Sequence, residues 1–170
     1  MFELEGCSAL VTGASGGIGN AIARALHKQG ATVFLTGRNE EVLKNIAGEL
    51  GKRGHIQAAD LSNNEEINAL VVAASDAMDG IDILVNNAGL TRDGLAVRMK
   101  DEDWERVLDV NLTAGFRLTR AALRGMMKNR YGRIINITSV VGQIGNPGQV
   151  NYVASKAGMT GMTKALAAEV

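Results

Sequence analysis

Cysteine is nearly absent from this sequence, since Cys7 is the only one among 170 residues. An internal disulfide is therefore impossible, which excludes the disulfide-stapled class of small secreted proteins and favours a reducing compartment. Cys7 lies in an apolar run, where a buried and inert thiol is expected. Pro147 is the only proline, so no proline-rich linker divides the chain.

An excess of charge of one sign and long apolar runs are also missing. Eighteen Lys and Arg residues balance eighteen Asp and Glu residues, so no net field attracts nucleic acid or an acidic membrane surface. No segment approaches the ~20 apolar residues of a membrane-spanning helix, and the N-terminus lacks the pattern of a secretion signal. We therefore expect a cytoplasmic protein that binds neither nucleic acid nor membrane, and we expect no metal site.

The sequence does contain an alternation of short apolar runs and amphipathic stretches. The runs predict five strands, at Ser8–Thr12, Ala31–Thr36, His55–Ala59, Ile81–Val85 and Arg133–Thr138. Helical patterns rather than tight hairpin turns separate them, which predicts right-handed crossovers and a parallel sheet. The expected fold is α/β, a Rossmann-type doubly wound sheet in one domain (1–170), with its ligand site beyond the carboxyl ends of the strands.

Helical periodicity places helices between and after these strands. One helix is predicted at Glu40–Leu50, and Ser62 with Glu65 forms a capping box that predicts the start of the next. A long helical region covers about Asp101–Asn129, with an interruption near Asn111. The last helix runs from about Asn151 to the end of the chain.

A glycine-rich turn follows the first predicted strand and opens a helix. Its glycines have the spacing G-x-x-x-G-x-G. Such a turn brings backbone N–H groups and the positive end of a helix close to a pyrophosphate. The context favours a dinucleotide site over a glycine turn without a ligand, and the predicted contacts are Gly13, Ser15, Gly17, Ile18 and Gly19.

The same turn also fits G-x-S-x-G, the pattern around the nucleophile of α/β-hydrolases, with Ser15 as the nucleophile. That chemistry needs a histidine base late in the chain, after an acidic partner. The only histidines are His27 and His55, and neither follows an acid at the end of a later strand. We reject the hydrolase interpretation.

The end of the second predicted strand indicates which dinucleotide binds. A carboxylate at this place hydrogen-bonds the ribose of NAD and would repel the 2′-phosphate of NADP. Gly37 and Arg38 stand there instead, and an arginine can hold a phosphate with two hydrogen bonds. Together with the glycine turn this favours NADP over the alternative, a solvated surface arginine.

The ends of the third and fourth strands supply further predicted contacts. Asp60 and Leu61 end the third strand, where Asp60 either accepts a hydrogen bond from the adenine amine or only flanks a helix. Asn86 and Asn87 end the fourth. Buried amides left unpaired cost about 1–3 kcal/mol per group, so we expect them to tie neighbouring strands together beside the cofactor. The predicted cofactor contacts here are Asn87, Ala88 and Gly89.

The strongest catalytic pattern consists of Ser139, Tyr152 and Lys156. Ser139 ends the fifth strand, and the other two are four residues apart on the last helix, with their Cβ atoms about 5–6 Å apart. Reduction of a ketone needs a proton donor, and a lysine cation ~4 Å from a phenol favours loss of its proton by about 4 kcal/mol at an effective dielectric near 20. The hydroxyl of Ser139 would hold the substrate carbonyl against Tyr152. Taken singly, the three residues also suit ordinary roles as a capping serine, a packed tyrosine and an exposed lysine.

In their order and spacing these motifs resemble the short-chain dehydrogenase/reductase family, over the whole chain. The resemblance rests on Thr12–Gly19, Asn86–Gly89, Asn111, Ser139 and Tyr152–Lys156. It implies that Tyr152 is the general acid and base and that Ser139 orients the carbonyl. It also implies that Lys156 and Tyr152 both contact the nicotinamide ribose, and that the charge of Lys156 favours loss of the Tyr152 proton. Asn111 would hold a water in a proton relay.

Within the family, residues 86–104 and 145–152 are similar to bacterial 3-oxoacyl-[acyl-carrier-protein] reductases of fatty acid biosynthesis. This similarity implies NADPH-dependent reduction of a 3-oxoacyl thioester. It also implies that Arg130, in a basic cluster with Lys128 and Arg133, docks the acyl carrier protein. A solvated helix end would carry the same cluster.

One position departs from the pattern of the family. Gly16 stands where members that use NADPH often have arginine, which leaves Arg38 as the main contact for the 2′-phosphate. Two alternatives stay open: an acetoacetyl-CoA or other carbonyl reductase with the same catalytic residues, and a nucleotide-binding protein of this fold without turnover.

The resemblance also implies parts that these residues do not include. The family fold continues past the last helix with two more strands and with helices that cover the substrate. We therefore expect the 170 residues to be an incomplete Rossmann domain and a poor enzyme when isolated. The family further implies a homotetramer.

Overall fold

The computed structural model describes residues 3–170 and shows one parallel sheet flanked by helices. Its strands are β1 (Ser8–Thr12), β2 (Thr32–Gly37), β3 (Gly54–Ala58), β4 (Ile83–Asn86) and β5 (Arg133–Asn136). Their order in the sheet is β3-β2-β1-β4-β5. The chain leaves β1 towards one edge and returns beside it as β4, which creates a topological switch point between β1 and β4. The predicted Rossmann-type α/β sheet is confirmed.

The helices fill the connections between the strands. They are α1 (Gly17–Lys28), α2 (Glu40–Leu50), α3 (Asn64–Met78), α4 (Asp101–Leu108), α5 (Ala114–Asn129), α6 (Val141–Ile144) and α7 (Val150–Glu169). Short 3₁₀ turns lie at Gly51–Arg53 and Ala96–Arg98, and a π-helical segment at Asp109–Thr113 joins α4 to α5. The predicted interruption near Asn111 is confirmed, as a π turn of the kind that often marks a functional site. Among residues 3–170, no helix combines the length and the apolar character needed to cross a membrane.

The start of α3 corrects the predicted capping box. Asn63, not Ser62, is the N-cap: its side chain accepts from the N–H of Glu65 at 2.9 Å and donates to Glu66 at 3.1 Å. The hydroxyl of Ser62 donates instead to Asp60 at 2.8 Å. The prediction is wrong by one residue because asparagine caps a helix as well as serine does, and the serine already has a partner.

The core lies on both faces of the sheet, since side chains alternate along each strand. On β1, Leu10 contributes to a cluster with α3 and α5, whereas Ala9 and Val11 contribute to a second cluster with α1 and α2. All five residues of β1 and all four of β4 are buried. Strands covered on both faces explain the nearly continuous apolar runs from which they were predicted.

β5 is one of the two edge strands of the sheet within the described residues, and β3 is the other. It pairs with β4 on one side, Ile134 beside Leu84, and no strand of residues 3–170 pairs with its other side. Ile134 packs against a core cluster, whereas Ile135 is 43% exposed. A groove of about 660 Å³ follows this edge between α5 and α7, with Tyr131 and Leu166 in its lining.

Candidate active site

A cleft of about 400 Å³ opens at the carboxyl ends of β1–β4. This is where an open parallel sheet binds its ligand, and the volume is within the range of small-molecule sites. Every predicted cofactor contact outside the last helix lines it, namely Gly13, Ser15, Gly17, Ile18, Gly19, Arg38, Asp60, Leu61, Asn87, Ala88 and Gly89. Residues from the four connections that follow β1, β2, β3 and β4 therefore meet in one place.

The turn between β1 and α1 leaves the start of the helix open to the cleft. No side chain in residues 3–170 caps α1, and its first turn contains no acidic residue, so its N–H groups and their partial positive charge face outward. A Cβ atom on Gly17 would meet nothing within 4 Å. On Gly19 it would clash with the carbonyl of Gly13 and come within 2.6 Å of Nδ2 of Asn87. Gly19 thus allows α1 to approach β1 closely, and Gly17 borders a space that suits a diphosphate.

The two asparagines tie β4 to its neighbours, as predicted. Nδ2 of Asn86 donates to Oδ1 of Asn136 on β5 at 2.8 Å. Nδ2 of Asn87 donates to the carbonyl of Thr12 on β1 at 2.9 Å. The hydroxyl of Thr12 accepts from the backbone N–H groups of Asn87 and Ala88, each at 3.0 Å. These bonds lock the loop after β4 against the end of β1 and fix the floor of the cleft.

The end of β2 has a glycine where an acidic side chain would contact a ribose. A Cβ atom on Gly37 would lie 2.7 Å from Oγ of Ser15, so a side chain here would require the Ser15 hydroxyl to rotate. Arg38, the next residue, is exposed on the wall of the cleft. Among residues 3–170, no acidic side chain forms an ion pair with it. Its guanidinium is therefore available to a phosphate.

Asp60 lies at the end of the cleft near β3 and is held by three donors. Its Oδ1 accepts from the N–H of Ser62 at 2.9 Å and from the Ser62 hydroxyl at 2.8 Å. Its Oδ2 accepts from Nη2 of Arg106 at 3.2 Å. The bonds from Ser62, followed by the bond and charge of Arg106, hold the pKa of the Asp60 carboxyl below its usual value. The carboxylate is therefore negative at neutral pH.

Arg106 and Val110 also line the cleft and were not predicted. Their spacing of four residues places them on one face of the helical region that contains α4. That spacing is visible in the sequence. The sequence does not indicate that this face contacts the end of β3, because the contact depends on how α4 packs against the sheet.

α7 brings Tyr152 and Lys156 together beyond the other end of the cleft. Nζ of Lys156 lies 5.6 Å from the centre of the Tyr152 ring and donates to the carbonyl of Ile137 at 2.7 Å. It also lies 3.8 Å from the place where a Cβ atom on Gly89 would stand. Lys156 is only 4% exposed, and this burial lowers the pKa of its ammonium group. A cation at this point lies beside both the phenol ring and the loop that borders the cleft.

Asn111 is 1% exposed and lies in the π-helical segment. Its Oδ1 accepts from the N–H of Leu90 at 2.8 Å, and its Nδ2 donates to the carbonyl of Leu90 at 2.9 Å and to Oγ of Ser155 at 3.2 Å. Asn111 thus ties the loop after β4 to α7, next to Lys156. Ser139 is half-buried in the loop after β5, and its hydroxyl accepts from the N–H of Val141 at 3.4 Å.

The basic cluster lies away from the cleft. Arg130 ends α5 in the left-handed conformation, with φ of 52°, and is exposed. The guanidinium of Arg133 lies 4.9 Å from the centre of the Tyr131 ring. Both arginines line the groove along β5 rather than the cleft at the carboxyl ends of β1–β4.

Comparison with known proteins identifies relatives over nearly the whole chain. A family profile described as short chain dehydrogenase matches residues 8–170. The chain is 62% identical to nodulation protein G of Rhizobium sp. (strain N33) and 56% identical to the 3-oxoacyl-[acyl-carrier-protein] reductase FabG of Rickettsia bellii (strain RML369-C), over all 170 residues in each case. It spans 69% of the length of each of these relatives.

A solved structure agrees closely with this fold. A short-chain alcohol dehydrogenase from Sinorhizobium meliloti 1021 superposes with a TM-score of 0.94 at 38% sequence identity. The superposition covers 99% of this chain and 68% of the other.

Proposed function

Because this chain is an oxidoreductase of the short-chain dehydrogenase family, we propose that it reduces a 3-oxoacyl thioester of acyl carrier protein to the 3-hydroxyacyl thioester with NADPH. The family match confirms the resemblance that the motifs indicated. A nicotinamide cofactor follows from the family and its reductase relatives. NADPH, the acyl carrier protein and the catalytic roles below belong to the proposal.

The observation that carries the proposal is the position of the buried Lys156 ammonium between the Tyr152 ring and the loop that borders the cleft. Among residues 3–170 no carboxylate pairs with this ammonium group, and a buried unpaired cation is costly, so its presence supports a functional role. The adjacent cleft fits a dinucleotide because α1 presents an uncapped N-terminus over open space. The preference for NADPH is supported by Arg38 and by the lack of an acidic side chain at Gly37.

When bound, the reduced nicotinamide would supply a hydride to the carbonyl carbon. Side chains of this protein would act on the carbonyl oxygen of the substrate. The Tyr152 hydroxyl donates its proton to the carbonyl oxygen, and the cation of Lys156 stabilises the phenolate that remains. Ser139 donates a hydrogen bond that holds the oxygen in place, and Asn111 keeps the loop after β4 aligned with α7. The product is the alcohol, with hydride on carbon and the proton on oxygen.

The carrier-protein substrate is supported by the basic cluster and by the 3-oxoacyl-[acyl-carrier-protein] reductase among the relatives. Lys128, Arg130 and Arg133 are all exposed. They lie at one end of α5 and the adjoining start of β5. Such a concentration of positive charge suits an acidic partner and accelerates its association.

The test compares acetoacetyl thioesters of acyl carrier protein and of coenzyme A, with NADPH oxidation as the readout. Protein of its natural length should have the higher kcat/KM with the carrier-protein thioester. Arg130→Asn should lower that kcat/KM roughly threefold to tenfold and leave the coenzyme A thioester unaffected. Asparagine is chosen because it tolerates the left-handed backbone at this position.

Lys52→Ala is the matched control, since Lys52 is exposed in the turn before β3, at the opposite edge of the sheet. Equal rates with the two thioesters would contradict the carrier-protein assignment and favour an acetoacetyl-CoA or general carbonyl reductase. Absence of NADPH oxidation with either thioester would contradict the proposed reduction itself.

A further inference from the structure

Arg106 is the one residue of the cleft that bridges α4 to the end of β3 through its side chain. Its Nη2 lies 3.2 Å from Oδ2 of Asp60, and both side chains are partly exposed to the cleft. The two residues are 46 positions apart in the sequence. Val107, the next residue on the helix, is fully buried and anchors α4 against the fold. The Arg106 guanidinium therefore contacts Asp60 from a helix that is held in place by its buried face.

We propose that Arg106 is a positioning residue of the cofactor site, which orients the Asp60 carboxylate so that it selects a purine with a 6-amino group. The inference rests on the proposed function, because it takes the cleft to be the dinucleotide site. Arg106 itself would not contact the reacting atoms.

The hydrogen-bond capacity of Asp60 supports this role. A carboxylate has roughly four lone-pair sites and no hydrogen to donate. Two are used by the N–H and hydroxyl of Ser62 on Oδ1, and one by Arg106 on Oδ2. The one remaining acceptor position is on Oδ2, the oxygen that also accepts from Arg106. A 6-amino group of a purine could donate a hydrogen bond to it, whereas a 6-oxo group would place its own acceptor oxygen against Oδ2.

With the hydrogen bonds from Ser62 alone, the orientation of the Asp60 carboxylate would be less restricted. Both of its bonds go to the same oxygen from a residue two positions away, so the second oxygen depends on another donor for its direction. Arg106 supplies that donor from a separate element. The low pKa of the Asp60 carboxyl, to which Ser62 contributes most and Arg106 less, is consistent with a carboxylate that stays an acceptor at neutral pH.

The pairing also separates Arg106 from Arg38. The charge of Arg106 is compensated by Asp60, whereas Arg38 has no acidic partner among residues 3–170. Arg106 should therefore affect recognition of the base and have no effect on the choice between a 2′-phosphate and a 2′-hydroxyl.

The experiment measures dissociation constants from the fluorescence of the reduced nicotinamide. The probes are NADPH, NADH, the hypoxanthine analogue of NADPH, and reduced nicotinamide mononucleotide, which has no purine. They are tested on the unmutated protein and on Arg106→Met, which keeps the length of the side chain but not its charge. Arg24→Met is the matched control, because the Arg24–Glu49 ion pair (2.8 Å) also joins two separate elements but lies outside the cleft.

The unmutated protein should prefer NADPH to its hypoxanthine analogue by roughly tenfold or more, the range of a hydrogen bond to a charged group. Arg106→Met should remove most of this preference by weakening NADPH binding. The ratio of NADPH to NADH affinity, the affinity for the mononucleotide and the melting temperature without cofactor should stay unchanged. Arg24→Met should retain the full preference.

Three outcomes would overturn the inference alone: no purine preference in the unmutated protein, full preference in Arg106→Met, or equal weakening of both purine cofactors in that variant. The last would show that Arg106 only braces the fold. If the unmutated protein binds none of the four probes, the proposed function fails, and this inference fails with it.

Discussion

The two ends of the site are built on different principles. The proposed dinucleotide end lies at the carboxyl ends of β1–β4, and it offers mainly backbone and charge: glycines, helix N–H groups, the exposed Arg38 and the Asp60 carboxylate. The proposed catalytic end lies on α7 and on the loop after β5, an edge strand within the described residues, and it would depend on the side chains of Ser139, Tyr152 and Lys156. The first end should be sensitive to added atoms and the second to removed atoms.

The largest effect is expected at the catalytic end. Tyr152→Phe removes one oxygen, the proposed proton donor, and should lower kcat by about 10²–10⁴-fold. NADPH should still bind, because the pyrophosphate loop is untouched, with a loss of affinity of at most roughly tenfold from the missing hydroxyl contact to the ribose. Single-turnover rates and fluorescence titration would measure the two quantities.

Tyr131→Phe is the natural control, since Tyr131 is the only other tyrosine and lies on the groove along β5. It should leave kcat unchanged. Near-normal turnover in Tyr152→Phe, in protein of its natural length, would show that the proton comes from elsewhere.

The next effect concerns the charged contact of the dinucleotide end. Arg38→Ala should reduce the preference for NADPH over NADH roughly tenfold to a hundredfold, since hydrogen bonds to charged groups are worth about 1.5–3 kcal/mol. Calorimetric titration of both cofactors would measure the ratio. Equal affinity for the two cofactors in the unmutated protein would contradict the NADPH assignment.

Two glycine substitutions should distinguish a glycine needed for close packing from a glycine that leaves space for the ligand. Gly19→Ala should lower the free energy of unfolding by about 1–3 kcal/mol, as overpacking does, because its Cβ atom would clash with Gly13 and Asn87. Gly17→Ala should leave that free energy unchanged or slightly higher, since alanine favours a helix, but should weaken NADPH binding. Thermal unfolding with and without NADPH would measure both. Equal destabilisation by the two substitutions would refute the distinction.

The smallest effect is expected at the exposed edge of β5. The isolated residues 1–170 should self-associate along this edge, because its apolar face has little charge to prevent pairing. Ile135→Lys should weaken the association several-fold without altering NADPH binding. Val72→Lys is the control, since Val72 is exposed on α3, away from the edge.

Sedimentation velocity and kcat/KM beside protein of natural length would test this expectation. A monomeric, cooperatively melting chain of 170 residues with comparable kcat/KM would show that the edge of β5 matters less than we expect.

The contrast between the two ends also explains how much was predictable. Glycine spacing, residues at strand ends and the i, i+4 pair are local patterns, so Gly17, Arg38 and Tyr152 were placed correctly at the cleft or beside Lys156. Asn111 was expected at an interruption, but its bonds to Leu90 and Ser155 depend on how three elements meet. Arg106 was missed for the same reason. Tertiary packing, not local pattern, decides which face of α4 reaches Asp60.

The central claim is that a hydride passes from a nicotinamide in this cleft to a carbonyl beside Tyr152. The most direct measurement uses NADPH with deuterium in place of both hydrogens at C4 of the nicotinamide, an acetoacetyl thioester of acyl carrier protein and protein of natural length, with mass spectrometry of the product. We predict deuterium at C3 of the 3-hydroxyacyl product, and almost no product from Tyr152→Phe. An unlabelled 3-hydroxyacyl product, or labelled product at an undiminished rate from Tyr152→Phe, would contradict the account.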